Sequence, residues 1–289
     1  MVMRTVLAYC LFGTSALCAW EQSHSTRTPL DHHWRPKLIS ADSALALPTL
    51  PLRSLDGMRT DSSEWLSYSV RYGLIQAGEA ELRTEKGPDY GGRQTLRVIG
   101  SGRSTGALDW VFKVRDHYES HVDAEGLFPH RFIRSVREGG YRMERDIHFD
   151  PGRRLATTED AKGTRHQMLP AFCQDLVSSF QFARQLPLDS IPNGGVVEIP
   201  TFLDGEVHLV RARKTGSERI EVKAGTFDCW SFKPIVMEGR IWKDEDDLTV
   251  YVSADRYRIP VLVKTDLIVG SLRLELVAQS RAPIAPGAQ

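Results

Sequence analysis

The sequence predicts a mainly β fold: a strongly curved antiparallel sheet or partly open barrel with one principal helix packed on its concave side. Three observations predict it. Runs such as Leu248-Thr249-Val250-Tyr251-Val252-Ser253 and Ser271-Leu272-Arg273-Leu274-Glu275-Leu276 alternate their side chains, as strands do when one face meets a core and the other meets water. Turn chemistry stands between such runs, at Lys223-Ala224-Gly225-Thr226-Phe227-Asp228 and Ser253-Ala254-Asp255-Arg256. One segment, 174–186, departs from the two-residue period. Many short strands need closure or coverage to hide their edges, which favours a curved sheet or barrel over the competing two-sheet sandwich.

The chain opens with Arg4 in a basic start and an apolar run over 6–19 broken only by Gly13, Thr14 and Ser15. This reads as a secretory signal peptide, residues 1–19, with the cut near Ala19. The run is shorter than the roughly 20 residues of a membrane-spanning helix, so the mature chain is expected to carry no transmembrane segment. Cys18 follows Leu17, where processing to a lipid-modified cysteine wants a small residue, so the lipoprotein signal is weak. Residues 20–63, rich in Pro, Ser, Thr and Leu and without a sustained period, read as a flexible linker. Its Asp31-His32-His33 cluster has the ligand types of a metal site, but adjacent histidines in such a segment are more often incidental.

A single β-rich domain is expected over 64–280, with a disordered tail at 281–289. Ser67-Tyr68-Ser69-Val70-Arg71-Tyr72 places Tyr68, Val70 and Tyr72 on one face and is its first strand. Strand-like runs follow at 77–82, 94–100, 111–122, 130–136 and 141–149, joined by turns such as Asp123-Ala124-Glu125-Gly126 and Glu138-Gly139-Gly140. In 174–186, Leu176, Val177, Phe180, Ala183 and Leu186 fall on one helical face. Asp175 and Arg184 suit the two poles of the helix dipole. Pro187 and Pro192 end the helix and return the chain to strands at 196–202, 207–213 and 220–223.

Lys plus Arg equals Asp plus Glu, at 37 each, so no overall field draws the chain to nucleic acid or to an anionic membrane. Once the leader is gone, two cysteines remain. Cys173 and Cys229 are either a disulfide, as an oxidising compartment permits, or two small buried hydrophobes. No nucleophile elbow, phosphate loop or dinucleotide fingerprint appears, so neither a catalytic residue nor a cofactor is assigned.

Inward-facing charge offers the best lead to a site, because a buried charge is costly unless paired. Asp116 shares a strand face with Phe112, Val114, Tyr118 and Val122, and Arg145 shares one with Tyr141, Met143, Ile147 and Phe149. Alternation therefore brings Asp116 and Arg145 into the interior, where they form either a structural ion pair, the stronger expectation, or a carboxylate clamp. Trp110, Tyr118 and Phe180, with Arg184 at the end of the helix, are the further candidate ligand contacts. The aromatics Trp65, Tyr68, Tyr72, Trp110, Phe112, Tyr118, Phe180, Phe182, Phe227, Trp230 and Phe232 are numerous enough to line an apolar cavity beside the helix, although ordinary core is favoured. His117 and His121, about 13 Å apart along one strand face, are too distant to chelate one metal and are expected to face solvent with Lys113 and Glu119. The run Asp244-Glu245-Asp246-Asp247 lacks the spacing of a calcium loop and reads as a solvated turn, so no metal site is assigned.

Several elements, in order, resemble the domain-of-unknown-function family 3108, found in exported proteins of Gram-negative bacteria. They are Val114-Arg115-Asp116-His117-Tyr118-Glu119-Ser120, the Glu138-Gly139-Gly140 turn before Ile147-His148-Phe149-Asp150, the helix with Asp175, Ser178 and Arg184, the Ala224-Gly225-Thr226-Phe227-Asp228-Cys229 turn, and Ser253-Ala254-Asp255 before Ile259-Pro260-Val261. The resemblance implies a secreted or periplasmic β-rich domain and brings no established reaction. The expectation is a non-catalytic periplasmic or envelope-associated binding protein for a lipid, another apolar or amphiphilic ligand, or an envelope protein. The alternative is an envelope hydrolase acting on a glycan or ester with a carboxylate such as Asp116.

Overall fold

A computed structural model describes residues 33–34, 36–55, 62–235, 248–266 and 270–283. Residues 1–19, Asp31 and His32, and the acidic run 244–247 lie outside them. The described chain is mostly strand. In chain order it runs β1 (His33–Trp34), β2 (Leu38–Ile39), α1 (Ala41–Leu45), β3 (Ser62–Tyr72), β4 (Ile75–Lys86), β5 (Thr95–Ser104), α2 (Gly106–Val111), β6 (Arg115–Asp123), β7 (Pro129–Glu138), β8 (Tyr141–Asp150), β9 (Leu155–Asp160) and β10 (Gly163–Met168). It continues through α3 (Leu176–Ala183), β11 (Val196–Leu203), β12 (Glu206–Val222), β13 (Gly225–Pro234), β14 (Leu248–Ser253), β15 (Pro260–Asp266) and β16 (Ser271–Pro283).

All of these strands join one antiparallel sheet. From β3 to β10 the meander follows chain order, and β12 to β16 form a second meander. The two are joined where β16 pairs with β3, along Leu272↔Tyr72 to Pro283↔Ser62. One end of the sheet is β2 beside β10; at the other, β12 is flanked by β1 and β11. The sheet is curved but not closed into a barrel. Register shifts at Val70/Arg71, His121/Val122, Lys214/Gly216, Tyr251/Val252 and Leu276/Ala278 supply the bending, since a bulge inserts an extra residue on one strand and increases its twist.

The concave face holds the core, with Leu66, Tyr68, Val98, Tyr118, Phe132, Ile147, Val261 and Leu276 all buried. Helix α3 packs onto it against β5, β6 and β11. It is shorter than the periodicity suggested, because a capping box starts it late. The Asp175 carboxylate accepts from the Val177 and Ser178 backbone N–H groups at 2.7 and 2.8 Å, while the Ser178 hydroxyl accepts from the Asp175 N–H at 2.8 Å.

Three boundaries differ from those read in the sequence. Residues 36–55 are not a free linker: β2 covers the edge of β10, and Arg53 donates to the carbonyls of Gly126 and Leu127 at 2.6 and 2.9 Å. Pairing across a sheet edge needs no internal periodicity, so composition could not reveal it. Residues 281–283 extend β16 rather than starting a tail. The run at 111–122 is a strand only from Arg115, and α2 occupies 106–111.

Candidate functional site

Alternation along β6 defines two faces. Asp116, Tyr118, Ser120 and Val122 point to the concave interior, whereas Arg115, His117, Glu119 and His121 point outward.

On the inner face one cross-strand row reads Leu66, Leu82, Gly100, Tyr118, Arg134, Arg145 and Asp160. Arg134 donates to Asp204 at 2.9 Å and lies 5.7 Å from the Tyr118 ring centre. Arg145 donates to the same Asp204 oxygen and, at 3.3 Å, to Asp160. Arg165 completes the row with bonds of 3.0 and 2.7 Å to Asp160, whose pKa these bonds hold at about 2. Arg145 and Asp116 therefore do not form the expected pair. Strand β7 stands between them, and two strand spacings of nearly 5 Å exceed the reach of a salt bridge once the register offset is added. Asp116 instead accepts from the Arg137 N–H at 3.0 Å and hydrogen-bonds Glu138. Its burial pushes the carboxyl up to about 6.

Asp204 and Gly205 form the two-residue turn between β11 and β12, with φ of 52° and 88°. An Asp-Gly pair between two alternating runs is the sequence signal that marks such a hairpin. Nothing in the sequence shows that its carboxylate reaches Arg134 and Arg145, 70 and 59 residues away.

Arg184 is a joint rather than an open ligand contact. Its guanidinium clasps Glu64 through two bonds of 2.8 and 2.9 Å, donates to the Tyr257 carbonyl, and sits 5.6 Å from the Phe180 ring centre. Arg281 donates to the same Glu64 at 2.9 Å. Phe180 packs against the core, and so do Tyr68, Tyr118 and Phe232 or their neighbours, so this part of the aromatic set is core rather than cavity wall. A cleft between Phe149, Leu169, Phe172 and Cys173 has a volume of only about 10 Å³. Trp110 lies outside this assembly altogether, 93% exposed on α2.

Cys173 and Cys229 are separate free thiols, both buried. Burial pushes each up to about 12, which leaves them protonated and unreactive. Alternation could place each one inward but not bring them together.

The outer face carries an open basin of about 580 Å³ across β3 to β7. Two cross-strand rows build it. One reads Ser69, Glu79, Arg103, Arg115, and the next Ser67, Glu81, Ser101, His117, Ser135, Glu144. In the second row short serines alternate with long side chains, which hollows the surface. Charges of both signs ring it: Arg103 donates to Glu79 at 2.5 Å, Arg115 to Asp109 at 2.7 Å, and Arg137 approaches Glu144 at 3.6 Å. The Asp109 carboxyl is held at about 2 by its bonds from Arg115 and Ser104. Asp116 and His117, consecutive on β6, both border the basin, but their side chains leave the strand on opposite faces.

His121 is buried, not solvent-facing. Tyr90, in the loop between β4 and β5, covers it, with its hydroxyl 2.6 Å from His121 Nδ1 and its ring stacked at 4.8 Å on His130. Glu119 lies 2.9 Å from His121 Nε2; burial would raise its pKa, but bonds from Arg97, His121 and His117 hold it at about 2. Among the described residues no group of three His, Cys, Asp or Glu side chains is placed to hold a metal ion.

The family described as "Protein of unknown function (DUF3108)" matches residues 67–277. No curated protein matches the chain. Among solved structures, the chain is similar to a β-barrel-like protein of the unknown-function family DUF1849 from Brucella abortus, at 10% identity and a TM-score of 0.48, over 77% of this chain and 98% of that one. It is also similar to a candidate exported protein with a YmcC-like fold from Bacteroides fragilis, at 9% identity and a TM-score of 0.33, over 81% and 99% of the two chains. A candidate lipoprotein from Parabacteroides distasonis gives 11% identity and a TM-score of 0.32, over 81% and 99%.

Proposed function

The chain belongs to the DUF3108 family, and from that premise we propose that it is an exported, envelope-associated binding protein that holds the polar head of an amphiphilic ligand in the outer basin. Export rests on the basic start and short apolar run of residues 1–19. The observation that carries the ligand reading is the lining of the basin: Glu79 and Glu81 on β4 face Arg103, Arg115 and Arg137 on β5 to β7, with serines between them. Such a surface offers donors and acceptors to a zwitterionic or anionic head. It lacks the aromatic platform on which a sugar ring stacks. The interior, filled by packed side chains and ion pairs, is a poorer host for an apolar molecule, which needs a preformed apolar pocket.

Lipid extraction and native mass spectrometry of protein purified from its own envelope fraction test this reading. An amphiphile is expected to accompany the wild-type chain and to be lost from Arg103→Glu, a change at an exposed side chain that leaves the unfolding midpoint in place. Retention of the same molecule by Arg103→Glu, or a wild-type chain that carries none, overturns it.

A further inference from the structure

We propose that the end of the sheet bearing Leu74, Ile75, Trp110 and Val111 docks on the surface of a phospholipid bilayer that contains anionic lipid. These four side chains are 92%, 60%, 93% and 82% exposed. They come from two neighbouring tips. Helix α2 has no buried residue, so Trp110 and Val111 serve no core. The Thr105 N–H donates to the Ala77 carbonyl at 3.1 Å and Ser104 pairs with Gly78, which seats α2 beside the β3–β4 hairpin that carries Leu74 and Ile75.

Charge around the patch selects the partner. Exposed charges on the three adjacent tips are Arg71, Lys113 and Arg142, while Arg137 is turned toward Glu144 at the basin. The third tip is tied to the second by a 2.8 Å bond from the Gly139 N–H to the Lys113 carbonyl. The acids of these tips are withdrawn: Asp109 is held by Arg115, and Glu138 is buried. A net charge of zero over the whole chain thus conceals a local basic fringe. Exposed Trp and aliphatic side chains fringed by Lys and Arg match the interfacial layer of a bilayer, where the indole sits at headgroup level and the cations meet anionic lipid. A specific protein interface would engage about 20–30 residues a side, far more than these two tips present. The inference stands whether or not the basin holds a ligand.

Because the apolar run 6–19 can itself hold the chain on a vesicle, the readout is Trp110 rather than sedimentation. The full chain is mixed with vesicles of phosphatidylethanolamine and phosphatidylglycerol brominated on their acyl chains, and its emission is compared with that of Trp110→Phe. The wild-type chain is expected to show a quenched component that Trp110→Phe lacks, and that component should be shielded from aqueous acrylamide. Lys113→Glu/Arg142→Glu should reduce the quenched component at least threefold. If the Trp110 emission is untouched by brominated lipid and still open to acrylamide, the proposal is wrong, and the patch then awaits a protein partner. Equal quenching in the charge-reversed variant would remove the anionic-lipid requirement and overturn the proposal as stated.

Discussion

The two faces of the sheet carry the same kinds of charged group and use them in opposite ways. Inside, Arg184 and Arg281 share Glu64, and Arg134 and Arg145 share Asp204, in each case away from water. Outside, Arg83 meets Glu81 at 2.7 Å and Arg103 meets Glu79 at 2.5 Å with much of each side chain still solvated. Bond lengths are alike on the two faces, so distance does not separate them; desolvation does. An outer pair exchanges one hydrated state for another and contributes little. An inner pair has already lost its water, so removal of one member leaves a charge with nothing to replace it. The inner face can therefore hold the fold, and the charges of the outer face can change with little loss of stability.

The largest test of this contrast is Glu64→Ala. It leaves the buried Arg184 and the half-buried Arg281 without their carboxylate, and urea denaturation should show a loss of about 3–5 kcal/mol. A loss below about 1 kcal/mol would mean that the inner pairs behave as outer ones, and the comparison would fail.

Next in size is a pH dependence carried by Asp116. Its folded pKa of about 6 lies above the ordinary value of 3.8, so the folded chain binds the proton more tightly than the unfolded one. The resulting stability is fully present below about pH 4 and is lost as pH rises through 6. Asp116→Asn should abolish this component, so that the unfolding free energies at pH 4.5 and 7 move closer together, by an amount on the order of 2 kcal/mol. Asp160, held low at about 2, has the opposite sign: its contribution is present above pH 4 and is lost as pH falls through 2. An unchanged slope between pH 4.5 and 7 in Asp116→Asn would place the titration elsewhere.

The smallest expected effect is that of Arg83→Ala, whose ion pair with Glu81 is half solvated. Its unfolding free energy should stay within about 0.5 kcal/mol of wild type, and a drop beyond 2 kcal/mol would erase the distinction between the faces from the other side.

Much of this arrangement was legible in the chain before any coordinates. Alternation assigned Asp116 and Arg145 to the inner face, because a period of two leaves a strand residue only two directions to point. The same period marked the meander, and the apolar stripe of Val177 and Phe180 marked the one long helix. Tertiary structure alone decided the partners. Arg145 takes Asp204 from a turn 59 residues on, and Arg184 takes Glu64 from 120 residues back, because curvature of the sheet folds those segments over one another. Register likewise kept Asp116 from Arg145, and the fold left Cys173 and Cys229 as two separate buried thiols. Trp110, grouped in the sequence with the aromatics of a cavity or core, is 93% exposed, because residues 106–111 form α2 between β5 and β6. A local pattern determines which side of a strand a group occupies; what it meets there depends on the summed register and bend of every strand between.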